Sequence, residues 1–85
     1  MYRVLLRPPA QRFLRKLRDK SLTARLMAAM RSLASQPRPS GCNKLVSPED
    51  LYRIRIGDYR IVYQVRDEVL LVLVVKIGHR REIYR

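Results

Sequence analysis

The stretch from Leu51 to Arg66, LYRIRIGDYRIVYQVR, constrains the fold more than any other part of the chain. Apolar and basic residues alternate on both sides of Gly57-Asp58, and a period of two puts successive side chains on opposite faces of an extended strand. Glycine at the first central position of a two-residue loop is the signature of a type II′ hairpin turn, whose twist matches that of the strands it joins. Such a turn fixes the register: 56 faces 59, 55 faces 60, 54 faces 61 and 53 faces 62. Tyr52, Ile54, Ile56, Tyr59, Ile61 and Tyr63 then share an apolar face, and Arg53, Arg55 and Arg60 share a cationic one. Arg60 lies directly across from Arg55. Like charges in facing positions weaken a ladder by roughly the 0.2–1 kcal/mol that an opposite-charge pair would contribute. A chain that keeps such a pair has a use for an anion between the two side chains.

Around this hairpin the remaining elements follow from pattern. Residues 2–6, YRVLL, form a short first strand that ends before Pro8-Pro9, where prolines suit the first turn of a helix. Ala10, Phe13, Leu14 and Leu17 recur at helical spacing and mark a first amphipathic helix. Leu22, Leu26, Ala29, Met30 and Leu33 mark a second, with Ser21 as its N-cap and an end near Gln36-Pro37. The short link between them predicts an antiparallel helical hairpin. Residues 37–48 carry Pro37, Pro39, Gly41 and Pro48, the turn chemistry of a connector, and place Lys44 within reach of a phosphate. Strands then run over 50–57, 58–66 and 69–77, with tight turns at Gly57-Asp58 and Asp67-Glu68. The last, VLLVLVV from Val69 to Val75, is apolar in both parities, which predicts an inner strand covered on each face or closed on one by the C-terminal tail. The order β-α-α-β-β-β predicts an α+β fold: a mostly antiparallel four-stranded sheet with an N-terminal helical hairpin packed on one face. At 85 residues it makes a single domain, 1–85. Where the first strand joins the sheet stays open, and with it whether Arg3 or Arg7 approaches the cationic face.

Charge narrows the class of partner. Lys and Arg number 19 against 7 acidic residues, for a net charge of +12, and 15 of the 19 are arginines. With 47% hydrophobic residues the chain is not a disordered basic tail. Some arginines, such as Arg12, Arg15, Arg18 and Arg25, belong to solvated helix faces, yet the excess of Arg over Lys favours planar, forked recognition of phosphate or carboxylate oxygens. A polyanion is the expected partner. Cys42 has no second cysteine to pair with, which fits a reduced, cytoplasmic setting, and it lies far in sequence from His79, the sole histidine, so it is read as a bystander. The N-terminal residues have too short an apolar region for a signal peptide, and no run spans a membrane. No Cys/His/Asp/Glu group has metal-ligand spacing, and no Gly-rich phosphate loop or paired carboxylates occur. Neither a metal nor a cofactor is expected.

The element order, the stretch LYRIRIGDYRIVYQV and the ending Lys76-Ile-Gly-His-Arg-Arg-Glu-Ile-Tyr84 together resemble the RelE-type toxins of the RelE/ParE toxin–antitoxin superfamily, over essentially the whole chain. The resemblance implies a small, metal-independent endoribonuclease that enters the ribosomal A site, cuts the mRNA there and so inhibits translation. It also implies a cognate acidic, RelB-like antitoxin, with the toxin monomeric alone and hetero-oligomeric with that partner. A ribosome-directed protein gains affinity from contacts to rRNA phosphates that release counterions, in keeping with the net charge.

By the same resemblance Arg60 and Arg80 fall where the family grips phosphate and stabilises the transition state, and Tyr84 falls on its C-terminal catalytic tyrosine. Arg53 and Arg55 match basic residues that are lysines in well-known members. Because arginine does not readily give up a proton, the pair is read as an electrostatic clamp and not as a base. Histidine titrates nearest neutrality, so His79, together with Tyr84, is the expected carrier of the proton transfer. Lys44, Arg81 and Arg85 complete the expected RNA contacts. Two other functions share this fold: a ParE-like inhibitor of DNA gyrase, and a non-catalytic nucleic-acid-binding member. The ending Gly78-His-Arg-Arg-Glu-Ile-Tyr84 argues for the RelE type.

Overall fold

The computed structural model describes residues 1–79. Its elements are β1 (Arg3–Leu6), α1 (Pro8–Lys16), α2 (Lys20–Ser32), β2 (Asn43–Lys44), β3 (Leu51–Ile56), β4 (Tyr59–Arg66) and β5 (Leu71–His79). The strands form one sheet in the order β1-β5-β4-β3-β2. The expected α+β layout holds, with two differences. The sheet has five strands, because Asn43 and Lys44 in the expected connector pair with Arg53 and Tyr52. The first strand joins at the far edge, parallel to β5, while every other pairing is antiparallel.

The hairpin register is the one the turn predicts: Ile56 faces Tyr59, Arg55 faces Arg60, Ile54 faces Ile61 and Arg53 faces Val62. Gly57 has φ +60° and Asp58 does not share the left-handed region, as a II′ turn requires and a I′ turn does not. The second tight turn is instead a single 3-10 turn, Asp67–Val69, closed by Leu70 at φ +51°. An L-residue in that conformation costs roughly 1–2 kcal/mol. The last strand therefore starts at Leu71, two residues later than the apolar run suggests.

Both helices lie on the apolar face, α1 over β5 and α2 over β3. α1 opens on Pro8 and Pro9 and buries Ala10, with Phe13 and Leu14 half-buried beside it. α2 starts at Lys20, capped by Asp19, whose carboxylate accepts a hydrogen bond from the Leu22 N–H at 3.0 Å. Asp19 thus takes the capping role expected of Ser21. Leu26, Met30 and Leu33 meet Ile54, Ile61, Tyr63, Val65, Val72, Val74 and Ile77 of the sheet in one core. At roughly 1.5–3 kcal/mol for each large apolar side chain removed from water, this cluster is the main source of stability. No helix among the described residues is long and apolar enough to cross a membrane.

β5 carries one irregularity. Val62 pairs with Lys76 and Tyr63 with Val74, so Val75 is an extra residue bulged out of the ladder. The bulge lets Val74 and Ile77, three apart, both point into the core.

Away from the Gly57 turn, polar groups tie the connector to the sheet. The Tyr63 hydroxyl donates to the Pro37 carbonyl at 2.7 Å, and burial pushes its pKa well above the ordinary tyrosine value. Arg38 donates to the Tyr52 hydroxyl at 2.9 Å and, in forked fashion, to both Asp67 oxygens at 3.2 and 2.8 Å. Tyr2 adds its hydroxyl to Asp67 at 2.5 Å. The Arg38 guanidinium, helped by the Tyr2 hydroxyl, holds the Asp67 carboxyl below the usual carboxylate range. A lowered folded-state pKa gives stability that is present above the ordinary value and is lost as pH falls through the folded one. Asp67→Asn should therefore melt below wild type at pH 7 in thermal denaturation, and the gap should close as the pH drops below about 4; a gap that persists unchanged in acid would refute the assignment.

Candidate phosphate-binding site

The face of the sheet opposite the helices carries the arginines. Facing residues of antiparallel strands project to the same side, so Arg53, Arg55 and Arg60 stand together, with Asn43 of β2 across from Arg53. These four and Gly41 line a hollow of about 310 Å³. Arg55 is exposed, Arg53 half-buried, and Arg60 only 5% exposed. Burying a cation that deeply is expensive unless the surroundings or a ligand compensate it. Across from Arg60 on its other side is Gly78, which sets no side chain beside it. The hollow thus presents three guanidinium groups, one carboxamide and the backbone of Gly41. Arginines at staggered depths around one small volume can hold a tetrahedral anion from several directions and neutralise charge that builds on it.

The other expected residues are distributed as follows. Lys44 faces Tyr52, on the opposite side from Arg53, and its Nζ is 3.7 Å from an Asp50 oxygen, so it stands apart from the hollow. His79 faces Tyr59 at the end of β5; their rings meet edge to face with centroids 5.4 Å apart, and Tyr59 meets Phe13 of α1 in the same manner at 5.9 Å. Its imidazole therefore belongs to the helix-bearing side, while its neighbour Gly78 is the residue beside Arg60. The Val75 bulge causes this, because without it the parity of β5 would put position 79 on the arginine side. Arg80, Arg81, Tyr84 and Arg85 lie outside the described residues. Arg3 is on β1, three strands away from β3, which settles its distance from the site.

Gly41 and Asn43 are lining residues that the sequence did not single out. Their signal is faint: a glycine in a Pro/Ser connector followed by a two-residue strand. Gly41 has φ +92°, a conformation that favours glycine.

The sequence profile of the ParE toxin of type II toxin–antitoxin systems, parDE, matches residues 4–84. The chain belongs to that toxin family. It is 31% identical over 84 residues to toxin RelG of Mycobacterium tuberculosis, covering 99% of this chain and 97% of RelG. Among solved structures it is similar to the RelE–RelB complex of Pyrococcus horikoshii OT3, at 30% identity and a TM-score of 0.82 over 93% of this chain and 94% of that one. It is likewise similar to isolated Escherichia coli RelE, at 32% identity and a TM-score of 0.80 over 99% and 92%. Within the RelE/ParE superfamily it is a RelE-type toxin.

The facing Arg55–Arg60 pair predicts a stability signature. Arg55→Gln should raise the melting temperature by roughly 1–5 °C at low ionic strength, since removing a like charge recovers a fraction of a kcal/mol in a domain this small. Added inorganic phosphate should stabilise wild type more than the variant and narrow the difference. Equal responses to phosphate would mean that the pair holds no anion.

Proposed function

We propose that this toxin is a ribosome-dependent, metal-independent endoribonuclease that cleaves mRNA in the A site and so stops translation, acting in the cytoplasm and restrained by a cognate acidic RelB-like antitoxin. The observation that carries this reading is the convergence of Arg53, Arg55 and deeply buried Arg60 on one hollow. Similar solved structures include RelE–RelB complexes, which supports the antitoxin as partner. The net charge of +12 suits approach to rRNA, with Lys44, Arg81 and Arg85 as backbone contacts.

In the proposed reaction the 2′-oxygen attacks the adjacent phosphorus. The new O2′–P bond forms as the P–O5′ bond breaks, the 2′ proton is removed, and a proton is delivered to the departing 5′ oxygen. Arg53 and Arg55 clamp the phosphate. Arg60, held in place by burial, and Arg80 neutralise the charge that grows on its oxygens. Tyr84 and His79 carry the protons. For His79 the geometry sets a condition: its ring stands against Tyr59, so it must act around the end of β5 and not across the hollow.

Translation of a defined mRNA in vitro, with breaks mapped by primer extension, tests this. Wild type should cut translated but not naked RNA. Arg60→Ala and Arg80→Ala should each lower kcat by about 10²- to 10³-fold, the loss found when one preorganised charge stabiliser is removed, and Tyr84→Phe should lower it by about 10²-fold or more. Intact mRNA beside inhibited gyrase supercoiling would favour the ParE-like reading, and intact mRNA with nucleic acid still bound would favour a non-catalytic binder. His79→Gln should slow single-turnover cleavage and change its dependence on pH. An unchanged profile would withdraw His79 from the mechanism.

A further inference from the structure

A second hollow, of about 380 Å³, adjoins the arginine site around the edge of β3. It is lined by Ala29 and Ser32 of α2, Pro39 and Ser40 of the connector, and Ile54 and Ile56 of β3, and it shares Gly41 and Arg55 with the first. Its size falls in the lower part of the range of clefts that hold small organic ligands, roughly 300–1,000 Å³. β2 pairs only with Tyr52 and Arg53, so among the described residues the β3 edge beyond them has no strand beside it. In a two-residue hairpin the pair next to the turn, Ile56 and Tyr59, exchanges hydrogen bonds, and the alternation then directs both the N–H and the C=O of Arg55 away from β4 toward this edge. One residue thus offers a donor and an acceptor side by side, above apolar walls, with the Ser40 hydroxyl at hand and that of Ser32, which donates to the Ala29 carbonyl at 2.7 Å, able to accept. Gly41, where even a Cβ would meet nothing within 4 Å, borders both hollows and puts no side chain between them.

Apolar walls with a paired donor and acceptor suit the faces and edge of an unstacked nucleobase. We propose that this hollow is a nucleobase subsite, filled by the base of the nucleotide whose phosphate rests on Arg53, Arg55 and Arg60. The inference rests on the phosphate-binding reading above and adds to it the group that recognises the nucleotide beyond its charge. A bare strand edge can also accept a peptide strand. Only Ile54, Arg55 and Ile56 separate the end of β2 from the turn, which is short for strand addition, and the adjoining hollow is cationic; both favour the nucleotide.

The test is a titration of the isotopically labelled full chain, followed by NMR, with a ribonucleoside 5′-monophosphate and in parallel with ribose 5-phosphate. Both should shift the signals of Arg53, Arg55 and Arg60. Only the nucleotide should shift Ser32, Ser40, Ile54 and Ile56, and it should bind about tenfold tighter, in line with the worth of one stacked base. Ser40→Trp and, from another element, Ser32→Trp fill the hollow from exposed positions. Each should abolish the base-dependent shifts and the tenfold preference and leave ribose 5-phosphate affinity unchanged. Identical shifts and affinities for the two ligands would overturn the proposal, as would silence at the arginines with both. So would tryptophan variants that keep the base preference, including ones that lose only antitoxin binding, which would assign the edge to a peptide. Base-dependent shifts without mRNA cleavage would uphold the subsite and count against the nuclease reading alone.

Discussion

The β3–β4 register is the constraint on which the rest of this structure depends. A slip of one residue would carry Tyr52, Ile54, Ile61 and Tyr63 out of the core and the arginines into it, so the burial of the first set enforces the pairing of the second. The Arg55–Arg60 juxtaposition is not an isolated weakness that a local shift could relieve. Any shift of strand register that separated the two residues would also expose the residues that α2 packs against, at several times the energy. A functional charge cluster is thus held by apolar packing on the opposite face of the same two strands.

The connector between α2 and β3 works under two regimes. Near its start it is fastened: Pro37 accepts from buried Tyr63, and Arg38 bridges Tyr52 and Asp67. A few residues later it carries Gly41 and Asn43 along the rim of the arginine hollow, and Ser40 along the neighbouring one. Fixing the loop at one end and bringing its backbone close to a ligand at the other lets a small sheet acquire walls without a longer chain.

The parts of this fold that can be read from sequence are those written in local pattern. Gly57-Asp58 flanked by alternating residues specifies turn, register and both faces, and the prolines and apolar spacing place the helices. Long-range pairing has no such local mark: nothing in YRVLL says that it lies parallel to β5, and two residues of strand at Asn43-Lys44 are too few to show a period. Competing local rules are also hard to rank, as Asp19 and Ser21 are both good caps and the chain uses the first. For the site, the clamp of Arg53, Arg55 and Arg60 was visible because alternation alone brings the three together. The side on which His79 stands was not, because a uniformly apolar run such as VLLVLVV hides a bulge.

That bulge has a consequence for how this strand can change over time. Val75 acts as a phase shifter: it turns the block Lys76–His79 by half a period relative to the strand before it. Substitutions in the block alter side chains one at a time, whereas drawing the bulge out into a regular ladder, with every residue kept, would exchange all four positions at once. Ile77 would leave the core, Lys76 and Gly78 would turn toward the helices, and the imidazole would move over among the guanidinium groups. The arrangement of this end of the sheet is therefore governed by the bulge as much as by residue identity: loss of the single codon for Val75 would straighten the ladder and leave Lys76–His79 on their present sides, so a relative one residue shorter at this point can keep the same arrangement.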